Sequence, residues 1–396
     1  MTATPQRRLR AGWLFPVAEP PIRDGLIVWQ GDRIQAVDTY RGEAVDEHWP
    51  EAAVVPGLVN AHTHLDLTHL AGHCPPTGDF PAWLEQVIQG RRSSSPAETE
   101  AGIQAGIAAS LAAGVTLLGD IDGGGDSVRW LAHQPLHAVV FREIIGLPTV
   151  NADRSRSQAE EWLLQPTPPN LRRGLSPHAP YSVHRALWEW AARQAIPVAT
   201  HLAETFDELT LLADRTGPFA EFLERLNVWS PAALLASVEE PLHWTSTPWL
   251  IAHANYFPRS AWPTLSRHHV VYCPRTHAVF GHTPHPFAEM LESGLNVALG
   301  TDSLASNPDL DLWQEEHHVW QHWPASLPPA RLLARAPRHG ALALGDAARG
   351  QLAPGTPADF VIVPLPADRS TADPHEGLYA ASGAGRRVVQ AGSFRN

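Results

Sequence analysis

From Gly57 to about Leu344 short apolar stretches alternate with helical ones, and this alternation constrains the fold more than any other feature of the chain. Strands separated by helices pair in parallel, because each helix carries the chain back across the sheet; the outcome is a parallel sheet or a closed barrel. Eight strands are predicted near Val54–Val59, Val115–Ile121, Ala138–Ile145, Arg173–Pro177, Pro197–His201, Trp249–His253, Val270–Cys273 and Val297–Gly300. Helices are predicted over Phe80–Gly90, Glu98–Ala113, Ser157–Leu164, Arg185–Gln194, Phe219–Leu226 and Pro286–Ser293. Apolar residues within Ala101–Leu111 fit one helical face, although the glycines there weaken that helix on its own. Eight strand–helix units in about 290 residues match the usual size of an α/β fold of the (β/α)8 TIM-barrel type.

The flanks read differently. Leu26–Val37 carries a hairpin signal at Gly31-Asp32, and Phe360–Val363 and Arg387–Gly392 supply strands near the other end. The two distant segments are expected to share one small β-sandwich domain. The expected division is residues 1–55 and 346–396 for that domain and 56–345 for the barrel. No internal repeat or low-complexity block is present.

Within this frame the most informative motif is Val59-Asn60-Ala61-His62-Thr63-His64. Side chains at i and i+2 of a strand point to the same side, so His62 and His64 can converge on one metal ion. Polar residues at the C-terminal ends of barrel strands are where such a fold places catalysis. Four more candidates fall there: His178, His201, His253 and Asp302. Imidazole nitrogen and carboxylate oxygen suit Zn2+, with Fe2+ as the other choice, and a bound water then becomes acidic enough to supply hydroxide near neutral pH. All 29 basic residues are arginine. Without lysine there is no Schiff base, no lysine general base and no carboxylated lysine bridging two metals, which favours one divalent ion over two.

The formal net charge of −12 argues against a nucleic-acid partner, which is normally met by clustered cationic side chains. Two cysteines, Cys74 and Cys273, and a start without a signal-length apolar core indicate a reduced, cytoplasmic protein. No stretch of about twenty apolar residues exists, so no membrane span is expected. A small-molecule substrate is the expected partner, and a homo-oligomer is compatible with the chain.

Taken together, Pro56-Gly57-Leu58-Val59-Asn60-Ala61-His62-Thr63-His64, the strand-end residues and the closing Leu352-Ala353-Pro354-Gly355-Thr356-Pro357-Ala358-Asp359 resemble the amidohydrolase superfamily, in its mononuclear deaminase branch. The resemblance covers nearly the whole length. It implies that His62, His64, His201 and Asp302 bind the metal. Asp302 then binds weakly and serves mainly to shuttle a proton, while His253 orients the nucleophile and Glu204, in His201-x-x-Glu204, protonates a ring nitrogen as the amidine carbon is attacked. The resemblance therefore implies hydrolytic release of ammonia from the adenine ring of a nucleoside derivative.

Gly78–Ile88 and Gly300–Asn307 resemble segments of aminodeoxyfutalosine deaminases of the menaquinone pathway, and Ser176–Tyr181 is similar to a segment of methylthioadenosine and S-adenosylhomocysteine deaminases, whose histidine approaches the nucleoside. Phe80 and Trp83 are candidates for an aromatic wall, Arg142 and Glu143 for contacts to a carboxylate or to ribose hydroxyls, and His178 and Asn307 for further substrate contacts. The competing readings are adenosine-type deamination, hydrolysis of another C–N or C–Cl bond on a heterocycle, and a binding protein that has lost catalysis. Plainer roles fit the remainder: His268, His269, His317 and His318 as surface or core residues, Cys273 as a small hydrophobe, and Asp66 and Asp120 as structural carboxylates or supports for a ligand imidazole.

Overall fold

A computed structural model describes residues 5–366 and 373–395, so the outermost residues of the expected β domain lie outside the described part. Two compact units are present, one of Met1–Asn60, Ser110–Leu117 and Asp311–Asn396, the other of Ala61–Ala109 and Leu118–Leu310.

Fifteen strands occur among the described residues: β1 Gln6–Leu14, β2 Ile22–Gln30, β3 Arg33–Thr39, β4 Glu47–Pro56, β5 Leu58–Thr63, β6 Val115–Asp122, β7 His137–Ile144, β8 Leu171–Pro177, β9 Ala199–Leu202, β10 Leu250–His253, β11 His269–Tyr272, β12 Asn296–Leu299, β13 Phe360–Pro364, β14 Arg387–Gln390 and β15 Ser393–Arg395. In the first unit β1–β4 and β13–β15 form one seven-stranded sheet in the order β15-β14-β13-β4-β1-β2-β3. The Gly31 turn, at φ 58°, joins β2 to β3, and β13 enters antiparallel beside β4 with Val361 opposite Val55. Leu9, Leu14, Ile27, Trp29, Val54, Phe360, Ile362 and Val389 from five of these strands and their neighbours meet in one buried cluster. Each such side chain contributes roughly 1.5–3 kcal/mol by leaving water. That cluster makes the two ends of the chain fold as one body.

The remaining strands, β5–β12, form two four-stranded sheets, β5-β6-β7-β8 and β12-β11-β10-β9, with parallel pairing between β7 and β8 and throughout the second sheet. Single bridges link Leu175 to Val198 and Thr63 to Asp302. β5, β6, β9 and β10 are buried at every position, which is why they read as apolar runs rather than alternating ones. Gly300 has a steric purpose here: a Cβ at that position would sit 2.8 Å from the His62 carbonyl.

Predicted helices are present with shifted ends. Asp79 caps Phe80–Ser93 by accepting from Ala82 N at 3.0 Å. The helix predicted from Ser157 instead starts at Thr149, directly after Pro148, which cannot continue a strand ladder. A helix at Phe206–Asp214 was not predicted, although Thr205-x-x-Glu208 is a capping sequence; Thr205 Oγ1 accepts from Glu208 N at 3.1 Å. Among the described residues no helix is long and apolar enough to cross a membrane.

Candidate metal and catalytic site

Residues from four strand ends meet in the second unit. His62 and His64 leave β5, His201 lies on β9, His253 ends β10, and Asp302 follows β12. All five are buried. His62, His64 and Asp302 can offer one ligand atom each with all three atoms within 4.8 Å of one another, as can His62, His201 and His253. Asp302 Oδ1 lies 3.7 Å from His62 Nε2 and 3.6 Å from His64 Nε2, and His64 Nε2 lies 3.3 Å from His201 Nε2.

Two facing imidazole nitrogens at that distance need a proton or a cation between them. His201 Nδ1 is 2.8 Å from the His178 carbonyl, so it carries the proton and leaves the Nε2 lone pair inward. Burial holds His201 and His178 down to about 3 and pushes His64 and His253 well below the ordinary histidine range. Neutral imidazoles beside one carboxylate fit a divalent ion of the zinc class.

Glu204 Oε1 lies 3.4 Å from His253 Nε2, and Glu204, His253 and Asp302 also form a compact triple. Burial, reinforced by Asp302 and Glu208, raises the Glu204 carboxyl well above its usual range. A carboxyl whose pKa burial raises therefore stands beside a buried imidazole.

The backbone is bent to bring these groups together. Ala203, His253, Ala254 and Asp302 have φ of 53°, 68°, 53° and 59°, the left-handed region that L-residues enter only under constraint. Two of these bends are tied by buried side chains. Ala203 N donates to Glu208 Oε1 at 2.7 Å, and the Asp302 carbonyl accepts from Thr63 Oγ1 at 3.0 Å. Glu208 escaped the sequence reading because its signal, one helical turn after Glu204, is indistinguishable from an ordinary capping residue.

A pocket of about 480 Å³ opens onto His64, His201, Glu204, His253 and Asp302. Phe80, Trp83, Glu143 and His178 are among the residues that line it. Phe80 and Trp83 pack at 5.3 Å between ring centroids, and Trp83 Nε1 donates to the Cys74 carbonyl at 3.1 Å, which fixes the indole. His178 Nδ1 is 2.7 Å from Ser182 Oγ. Arg142 and Asn307 are not among the lining residues. Alternation along β7 sends Arg142 to the face opposite Glu143. Asn307 instead braces the loop under Asp302, its Nδ2 donating to the Thr301 carbonyl at 2.6 Å.

Arg91, absent from the sequence reading, also lines the pocket; it donates to Asp66 Oδ2 at 2.7 Å and to Glu143 Oε2 at 3.3 Å. Gly123 admits it, since a Cβ there would lie 1.7 Å from Arg91 Nη2. Asp66 and Asp120 serve the backbone and Arg91: Asp66 Oδ2 accepts from Gly123 N at 3.2 Å and Asp120 Oδ1 from Leu65 N at 3.0 Å. His268 and His269 are used inside the fold, with His268 Nδ1 accepting from Trp249 N at 3.0 Å and His269 Nδ1 2.7 Å from Asn296 Nδ2. His317 packs on Trp313 in the first unit, and Cys273 is buried.

Comparison with known proteins yields a match to the family described as "Amidohydrolase family" over residues 53–382. An aminodeoxyfutalosine deaminase of Nitratiruptor sp. is 27% identical over 354 residues, covering 84% of this chain and 86% of that one. A 5-methylthioadenosine/S-adenosylhomocysteine deaminase of Carboxydothermus hydrogenoformans is 28% identical over 331 residues, covering 78% and 72%. The crystal structure of Helicobacter pylori aminofutalosine deaminase superposes with a TM-score of 0.85 over 99% of this chain and 100% of that one at 23% identity, a likeness of fold.

Proposed function

We propose, from the premise that this chain belongs to the amidohydrolase family, that it is a metal-dependent aminohydrolase removing the amino group from the adenine ring of a nucleoside derivative. Aminodeoxyfutalosine is the first substrate, with methylthioadenosine, S-adenosylhomocysteine and adenosine as alternatives. The observation that carries this reading is the buried Glu204 carboxyl, 3.4 Å from His253 Nε2 in the pocket that also holds the convergent histidines and Asp302. A ring nitrogen becomes basic only while the adjacent carbon is under attack, so an acid fixed beside the nucleophile's site lowers that barrier specifically.

His62, His64, His201 and Asp302 would hold the ion, Zn2+ before Fe2+ on donor chemistry. Such an ion lowers the pKa of a coordinated water toward neutrality. Asp302 accepts the proton released by the attacking water and passes it to departing ammonia. Glu204 protonates the ring nitrogen, where the negative charge of the attack develops, and His253 orients the attacking water and stabilises the tetrahedral adduct. Phe80 and Trp83 wall the ring; Glu143, oriented by Arg91, accepts from ribose hydroxyls beside His178. For the fold, we take the two parallel sheets to close through the 63–302 and 175–198 bridges into one (β/α)8 barrel over 56–345. Segments 1–55 and 346–396 would then curl their shared sheet into a small sandwich. A chain with only two cysteines, both buried, suits a reduced cytoplasm.

The test is ammonia release from the four nucleosides and chloride release from a chlorinated triazine, on protein of measured metal content. Turnover of at least one nucleoside, reduced by Glu204→Gln, is the expected result. Turnover of the triazine alone would replace this reading with dehalogenation, and inactivity of metal-loaded protein on all five would restore the binding-protein alternative.

A further inference from the structure

The geometry points to His285 as a positioning residue that fixes His253 through the His253 main-chain carbonyl. Strand β10 pairs with β11 only as far as Ala252, opposite Val271, so the ladder on that side ends one residue before His253. The chain then turns through two successive left-handed residues, His253 at φ 68° and Ala254 at φ 53°. A non-glycine residue in that region costs of order 1–3 kcal/mol and persists only when its surroundings enforce it. On one side Ala254 N donates to the Leu202 carbonyl. On the other, His285 Nε2 lies 3.0 Å from the His253 carbonyl oxygen. A carbonyl cannot donate, so His285 Nε2 carries the proton and supplies the hydrogen bond that the sheet no longer provides.

His285 is itself held firmly. Its ring stacks on Tyr272 with centroids 4.1 Å apart and planes 22° from parallel. Pro284 and Pro286 flank it, and proline both fixes its own φ and restricts the residue before it. The loop is pinned at two further points: Thr283 N donates to Tyr256 Oη at 3.3 Å, and the Thr283 carbonyl lies 3.0 Å from His277 Nε2. Tyr256 follows His253 by three residues, so the loop grips the bend and the segment leaving it. A left-handed bend re-aims the side chain it carries. The distance from His253 Nε2 to Glu204 Oε1, 3.4 Å, therefore depends on a donor some thirty residues away.

This inference rests on the deaminase reading for its kinetic consequences and on geometry alone for its structural ones. The experiment compares His285→Phe, which keeps a ring to stack on Tyr272 but has no donor, with His285→Gln, whose amide can donate. With the best nucleoside of the panel, Phe should lower kcat by about 10–100-fold, the usual range for groups behind a site. KM should stay within about twofold and metal content should be unchanged, and Gln should recover most of kcat. A crystal structure of the Phe variant should show His253 relaxed out of the left-handed region or its ring turned from Glu204. The idea is overturned if Phe retains kcat, if Gln is as impaired as Phe, or if the Phe variant leaves both the His253 backbone and its ring unmoved. Should Phe fail to fold, Gln and His285→Asn decide it, because the shorter amide cannot span the gap and must be the poorer of the two. If the unaltered protein turns over no nucleoside, the deaminase reading fails by itself, and the His253 backbone in the variants still decides the role of His285.

Discussion

The two ends of the pocket are built on different principles. At the inner end the candidate side chains stand at strand ends or within three residues of them and are buried, and the backbone bends at Ala203, His253 and Asp302 are each tied by a side chain. At the outer end the lining comes from helices, with Phe80, Trp83 and Val87 from Phe80–Ser93 and Phe222 and Leu223 from Pro218–Arg225, held by packing more than by hydrogen bonds. Hydrogen-bonded strand ends fix positions to fractions of an ångström, as proton transfer and metal ligation require. Packed helix faces tolerate changes of shape, which recognition of different nucleoside tails can exploit.

The largest effect should come from the inner end. Removing the divalent ion with a chelator should abolish ammonia release, and Zn2+ should restore it with one ion bound per chain; recovery without metal would break the contrast at once. Next, Glu204→Gln should lower kcat by about 10²–10⁴-fold with metal content unchanged, since an amide fills the same space without donating an acidic proton. An effect on KM alone would move Glu204 from chemistry to binding.

The outer end should respond in the other parameter. Trp83→Ala removes one wall, and a buried aromatic side chain is worth roughly 1.5–3 kcal/mol, so KM should rise about tenfold or more while kcat changes little. Equal loss in kcat would show that the wall also sets the reacting geometry. A melting curve separates this from simple destabilisation.

The smallest effect concerns stability. Burial raises Glu208 to about 8 from an ordinary 4.5, so between those values the folded protein keeps a proton that the unfolded chain has released. Folding stability therefore falls as pH rises through that window, by at most about 1.4 kcal/mol per pH unit from this group. Glu208→Gln should remove this slope. Denaturant unfolding at several pH values should show the variant gaining on the unaltered protein as pH increases; a constant difference would mean that Glu208 does not titrate in this window.

Much of the inner end was legible in the sequence. His62, His64, His201, His253 and Asp302 stand at the ends of apolar runs, and a short strand transmits its position in sequence directly to a position in space. The outer end was legible where aromatic residues stood one helical turn apart, as at Phe80 and Trp83, and misleading where a neighbour was credited with the same face, as at Arg142 beside Glu143. Arg91 was hidden because an arginine on a helix looks like solvent-facing charge until Gly123 is seen to make room for it.

The sequence by itself determined the parallel strands, the pairing of the chain's two ends in one sheet and the types of donor at each strand end, because periodicity and residue chemistry act over a few neighbours. Only the tertiary structure decided that Glu208 and His285 hold the bends at Ala203 and His253, that Arg91 orients Glu143, and that Asn307 braces a loop outside the pocket lining. Those contacts depend on which side chain fills a gap left where a ladder stops, and that gap exists only after the strands have come together.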